Sequence, residues 1–174
     1  LVLLRKINNS DFKIYIPITT VIPPNLNSSI VKNTTVVDGK YITKTEENIL
    51  LFRFDNLNKN EFGQTEYLIE FNDLIEVDIL LVGGGGSGGK GLISNEEYGG
   101  GGGNGGGLIF LSNLEVEKGS YKIKVGEGGK GITSEYGVGN SGKNSSFSYL
   151  QTEAIGGGGG GYSNISVSSN IITD

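Results

Sequence analysis

The chain contains no cysteine, histidine, methionine or tryptophan, and only three prolines in 174 residues. Without cysteine no disulfide framework can form, and cysteine usage gives no signal of compartment. Without histidine or cysteine there is no imidazole base, no thiolate nucleophile and no soft metal site. Most hydrolase and redox chemistries go with them, so the expectation is a protein that is not an enzyme and has no cofactor or metal. No apolar run approaches the roughly 18 residues of a membrane-spanning helix, and no membrane span is expected. Leu1-Val2-Leu3-Leu4 is too short for a signal-peptide core, and a start without Met reads as a processed product.

What the chain has instead is glycine, 31 residues of it, beside a hydrophobic fraction of only 36%. Its net charge of −5 is unevenly spread. Residues 1–45 carry six basic groups (Arg5, Lys6, Lys13, Lys32, Lys40, Lys44) against Asp11 and Asp38, a net of +4. The remainder carries 8 basic and 17 acidic groups, a net of −9. An acidic body repels phosphate backbones, so nucleic acid is not an expected partner. The basic segment could lie on an acidic surface, its own or a neighbour's, or simply be solvated.

Two parts are expected. Residues 1–45 read as an extended N-terminal arm with one or two edge strands. Phe12–Ile16 alternates, while Pro17, Pro23 and Pro24 interrupt regular pairing. Residues 46–174 read as the body, a repeating grammar of strand followed by glycine tract. Candidate strands are Asn48–Phe54, Glu66–Phe71, Ile75–Val82, Leu108–Glu117, Tyr121–Val125, Ser146–Ile155 and Ile165–Ile172. Phe62-Gly63 and Lys118-Gly119-Ser120 read as tight turns. No segment has helical period, so the fold class is all-β.

The glycines fall in tracts: Gly83, Gly84, Gly85 and Gly86; Gly99, Gly100, Gly101, Gly102, Gly103, Gly105, Gly106 and Gly107; Gly126–Gly131; Gly137–Gly142; and Gly156, Gly157, Gly158, Gly159, Gly160 and Gly161. Such tracts can be flexible linkers, but linkers join domains and are usually padded with serine. The alternative is a polyproline-II-like helix built of glycine, with three residues per turn and its N–H and C=O groups pointing outward. Only glycine lets such helices pack side by side, and ordering glycine is costly unless the tracts bond to one another. Six glycines would span roughly 18 Å, the length of a short strand.

Sequences that look chemical do not carry their chemistry. Gly83-x-Gly85-x-x-Gly88 mimics a dinucleotide fingerprint, and Gly84–Lys90 and Gly137–Lys143 mimic a P-loop, but no helical pattern follows any of them. Glu70, Asp73, Glu76 and Asp78 read as a solvated strand face, with weak calcium binding as the alternative. Tyr98, Tyr136 and Tyr162 flank glycine tracts, where they either cap the tract ends or present aromatic surface to a sugar or protein.

Ile79-Leu80-Leu81-Val82-Gly83-Gly84-Gly85-Gly86 resembles the strand-to-glycine opening of the widespread glycine-rich domain family. The order that follows is similar too: Gly105–Leu108, Glu117–Gly126, Gly142-Lys143-Asn144-Ser145-Ser146-Phe147, and Ala154-Ile155 leading into Gly156–Gly161. The resemblance covers about residues 46–165. It implies a jelly-roll-like β-sandwich whose connections form a packed polyglycine II bundle, as in phage tail-fibre adhesins, viral surface proteins and anaplastic-lymphoma-kinase-type receptor ectodomains. It implies no enzyme activity. Loops joining the glycine helices bind host receptors in the phage adhesins, and here they map to Asn95, Glu96, Glu97 and Tyr98 and to Thr133, Ser134, Glu135 and Tyr136. This chain departs from the phage pattern in having fewer tracts, interrupted by Lys90, Glu127 and Lys130.

The resulting expectation is a structural subunit of a virion surface, capsid or extracellular fibre that assembles through its arm and sheet edges. Its partners would be further copies of itself, as a homo-oligomer or filament, or other virion proteins. The alternatives are an adhesin tip meeting a host receptor or glycan through the tract-joining loops, and a ligand-binding module of a receptor ectodomain.

Overall fold

The computed structural model describes residues 1–6, 12–15, 42–44, 49–91, 93–94, 96–97, 99–134 and 136–162. These residues contain strands and no helix. In chain order the strands are β1 (Val2–Lys6), β2 (Phe12–Tyr15), β3 (Ile42–Lys44), β4 (Ile49–Phe52), β5 (Gln64–Phe71), β6 (Ile75–Val82), β7 (Ile93–Ser94), β8 (Glu96–Glu97), β9 (Leu108–Val116), β10 (Gly119–Gly126), β11 (Ser145–Phe147) and β12 (Glu153–Ala154). One five-stranded antiparallel sheet has the order β3-β4-β1-β6-β9, and a second has the order β12-β11-β10-β5-β2. β7 and β8 pair only with each other.

The sheets are made by alternation. In β5 every second residue is buried, which turns Tyr67, Ile69 and Phe71 inward. β6 buries Ile75, Val77, Ile79 and Leu81 from the opposite sheet. These residues join Val2, Leu4, Phe52, Ile123, Val125 and Phe147 in one core. The Phe52 and Tyr67 rings meet edge-on at 5.2 Å, and the Tyr67 hydroxyl donates to the Arg53 carbonyl at 2.6 Å. β11 and β12 lie across β6 and β9.

Several expectations change. β2 and β3 lie at the edges of the two sheets, but β1, also within residues 1–45, is an interior strand. It lies between β4 and β6, pairing with Leu50–Phe52 on one side and Val77–Leu81 on the other, with Val2 and Leu4 buried. The expected strand Ser146–Ile155 is two strands, because the chain turns after Phe147: Leu150 N–H donates to the Phe147 carbonyl at 2.9 Å. The turn expected at Lys118-Gly119-Ser120 sits earlier, at Glu117-Lys118, a two-residue link from β9 in the first sheet to β10 in the second, since β10 already begins at Gly119. The turn at Phe62-Gly63 is present, with Gly63 at φ +72°, a left-handed conformation that suits glycine. The expected strand Ile165–Ile172 and the prolines of the arm lie outside the described residues.

The acidic face of β6 contains one buried carboxylate. Between Val77 and Ile79 the β6–β9 register shifts, and Asn113 adopts a left-handed φ of 52° to absorb the extra residue. Its N–H donates to Asp78 Oδ1 at 2.9 Å, and Arg5 Nε donates to Asp78 Oδ2 at 2.8 Å. The Asn113 hydrogen bond, followed by Arg5, holds the Asp78 carboxyl below the ordinary value of 3.8, against the opposing effect of burial. No three acidic groups gather into a metal cluster among the described residues.

A folded-state pKa below the unfolded one contributes stability that is present above the unfolded value and is lost as pH falls through the folded one. Asp78→Ala leaves the partly buried Asn113 N–H without its acceptor. It should cost about 1–3 kcal/mol at neutral pH, with little from Arg5, whose guanidinium is largely in solvent. Urea melts of both proteins should converge as pH falls below about 4; a gap that stays constant would mean the carboxylate charge contributes nothing.

Candidate functional site

The glycine tracts are insertions at one end of the two sheets. Tract one (83–91) leaves β6, and tract two (99–107) returns into β9. Tract three (126–131) leaves β10, tract four (137–143) returns to β11, and tract five (156–161) leaves β12. Tracts one, three and five therefore run away from the sheets, and two and four run back.

Hydrogen bonds join the tracts with a repeat of three residues. Gly83, Gly86 and Gly89 donate to Gly107, Asn104 and Gly101 of tract two at 2.8–2.9 Å. Gly84, Ser87 and Lys90 donate to Lys143, Asn140 and Gly137 of tract four, each at 2.9 Å. Gly101, Asn104 and Gly107 donate to Gly161, Gly158 and Ile155 at 2.7–2.8 Å. Gly157 and Gly160 donate to Gly84 and Ser87, both at 2.8 Å, and Gly129 donates to Gly85 at 2.7 Å. Tract one is thus bonded to all four others, each approached from its own side.

The same repeat decides where a side chain fits. A Cβ at Gly100, Gly103 or Gly106 would overlap the carbonyl carbon or oxygen of Gly89, Gly86 or Gly83. At Gly99, Gly102 and Gly105 it would meet nothing within 4 Å. Gly84, Gly86, Gly89, Gly139, Gly142, Gly157, Gly159 and Gly160 are blocked by backbone, whereas Gly131 and Gly161 are open. The charged interruptions occupy positions with room. Glu127 reaches Lys59 at 2.9 Å and Lys130 at 3.9 Å, tying the β4–β5 loop to tract three. Lys90 Nζ donates to the Ser134 carbonyl at 3.1 Å.

The far end of the array collects the tract-joining loops. Glu96 and Glu97 form β8, paired with β7 in the link between tracts one and two; Asn95 and Tyr98 lie outside the described residues. In the link between tracts three and four, Thr133 and Ser134 are exposed, and Glu135 lies outside the description. Ser134 Oγ donates to the Tyr136 carbonyl at 2.8 Å. The Tyr136 ring lies against Tyr162, with centroids 5.8 Å apart and planes tilted by 33°; the two residues are 43% and 41% exposed. Bridges between Lys90 and Gly137 and between Gly100 and Tyr162 hold this end together. Tyr162, read from the sequence as flanking a tract, was not placed among the tract-joining loop residues. Its position directly after a tract was the available signal, but its neighbour Tyr136 could not be read without the register. No helix follows Gly88, Lys90 or Lys143 among the described residues, so the nucleotide-like motifs lack the element they need.

No match was found among curated proteins or among solved structures. The family model for the glycine-rich domain matches residues 63–171, a span of 109 of the 174 residues. That span begins at the turn into β5 and contains all five tracts. The chain belongs to the glycine-rich domain family.

Proposed function

We propose that this chain is a non-catalytic structural subunit of a virion surface or extracellular fibre, built as a jelly-roll-like sandwich with a polyglycine II bundle at one end. The three-residue hydrogen-bond repeat carries this reading. A chain that meets each neighbour every third residue has the period of a polyproline-II-like helix, and helices bonded on several sides form a stiff rod. A rigid extension is useful for holding surfaces apart or for building a shaft, and it places no acid–base pair or nucleophile. Assembly proceeds through sheet edges, helped by the segment that follows β2.

Sedimentation velocity tests the assembly. A deletion must spare β1, because that strand belongs to the first sheet. The comparison is therefore the full chain against one in which residues 17–40 are replaced by a short Gly/Ser linker. Oligomers that dissolve into monomers on replacement support a strapping role for the segment. Monomers in both remove assembly from this domain's work.

The Tyr136–Tyr162 pair favours a second reading, an adhesin tip. Two adjoining aromatic rings, each about two-fifths exposed, offer flat apolar surface with polar edges at little entropic cost. If the tip recognises a glycan or receptor, replacing both tyrosines with alanine should abolish binding to glycan arrays or host cells while shifting the thermal midpoint by only a few degrees. Binding that survives the double substitution would discard this pair as the contact.

A further inference from the structure

β9 forms one edge of the first sheet, with β6 as its neighbour. Leu108 and Phe110, on its outer face, are 64% and 59% exposed, while Ile109 and Leu114 pack on the core. At the far end of the strand the Tyr149 hydroxyl donates to the Glu115 carbonyl at 2.9 Å, and the Asn113 bulge bends the edge. From Leu108 to Leu111 the edge has neither device. Among the described residues nothing bonds to its outward backbone. Natural edge strands are usually guarded by charge, proline or a bulge, and a flat apolar edge is a template for another strand. The second sheet shows what a solvated face looks like here: Glu66 lies between Lys122 at 3.2 Å and Lys124 at 3.9 Å.

We propose that β9 pairs with β9 of a second copy, antiparallel about a two-fold axis near Phe110. This rests on the assembly reading above and names its contact. The edge is self-complementary in that register. Phe110 faces Phe110, Leu108 faces Ser112, and the apolar outer faces of both copies merge. Charge selects the same arrangement. Each copy carries −5, yet residues 99–114 hold no charged side chain, and Glu115 falls beside the glycine run of the other copy instead of another acid. The Cβ position at Gly105 is open there. Five paired residues, Leu108 to Ser112, make a strip about 17 Å long, burying a few hundred Å² per copy, well under the ~800 Å² of a standard interface. The pairing is therefore concentration-dependent in free solution and becomes effective where copies are held side by side.

The cysteine-free chain makes the register directly testable. Paired Cα atoms across an antiparallel ladder lie about 4.5–5.5 Å apart, within disulfide reach. The full chain carrying Phe110→Cys should form a disulfide dimer under mild oxidant at least about tenfold faster than one carrying Phe62→Cys, a comparably exposed loop position. Equal rates overturn the proposal. Phe110→Lys should weaken self-association about tenfold in sedimentation runs over a concentration series, with an unchanged melting curve. A wild type that self-associates while neither substitution at 110 has its effect overturns the β9 contact and leaves the assembly reading standing. A wild type that stays monomeric, with no selective cross-link at 110, overturns both.

Discussion

Gly159→Ala should lower stability by about 3 kcal/mol or more, whereas Gly102→Ala should leave it unchanged or raise it by about 0.4–1 kcal/mol. The two positions share composition, backbone class and array. They differ in what surrounds them: a Cβ at Gly159 would overlap the Gly139 carbonyl, and one at Gly102 would meet open space. Backbone hydrogen-bonded on both sides cannot give way as a side chain can, since Gly139 itself donates to the Gly160 carbonyl at 2.7 Å. The loss corresponds to a fall in thermal midpoint of roughly 6–12 °C for a chain of this size. Gly159→Val should be worse still. The gain at Gly102 comes from the unfolded chain, which loses conformations when a methyl is added. Calorimetry across tract two should show a rhythm, with alanine tolerated at 99, 102 and 105 and rejected at 100, 103 and 106. A flat profile, or an unchanged midpoint for Gly159→Val, would mean the tracts are loose loops.

Leu4→Ala should cost about 2–5 kcal/mol. In an arm that only touches its neighbours, the same change would cost next to nothing. Leu4 is 3% exposed and lies in β1, paired on both sides, so its truncation opens a cavity in the shared core. Leu3, on the opposite face of the strand, should tolerate alanine at a smaller cost. Urea denaturation of the two variants separates a strand of the sheet from a strap on its surface. Similar midpoints for Leu4→Ala and the wild type would return residues 1–6 to the arm.

The difference at β1 shows where sequence patterning stops. β5 and β6 were legible because inward and outward residues alternate, and Ile75–Val82 was located to the residue. Leu1-Val2-Leu3-Leu4 does not alternate, because Leu3 faces an outer surface that also carries Leu80 and Phe110. An unpunctuated apolar run near a terminus then resembles any other short apolar run. Ser148 hid the break between β11 and β12 in a similar way. Its N–H donates to the Lys122 carbonyl and its Oγ accepts from the Lys122 N–H, both at 2.8 Å, so a residue with strand-like bonding already belongs to the turn.

For the site, the tracts themselves were plain in the sequence, and so was the argument that only glycine permits their approach. The interruptions were misleading. Lys90, Glu127 and Lys130 looked like damage to the pattern, yet Glu127 and Lys130 lie on the outer tract three, and Lys90 stands at the far end of the central tract, where its Nζ reaches the Ser134 carbonyl. The meeting of Tyr136 with Tyr162 depended on the register of three separate tracts. No local signal in the sequence encodes that register.

The repeat also constrains how the chain can change length. Tracts one and two are bonded at 83, 86 and 89 against 107, 104 and 101, so a single inserted residue would turn every later position by a third of a revolution. Blocked positions would then receive residues suited to open ones, and bonds to every neighbouring tract would be lost together. Only insertions of three residues, made in outgoing and returning tracts alike, keep the pattern. Each such step would move the far end outward by roughly 9 Å. The array is in this sense a ruler with fixed gradations, and its genes are expected to vary in blocks of nine nucleotides.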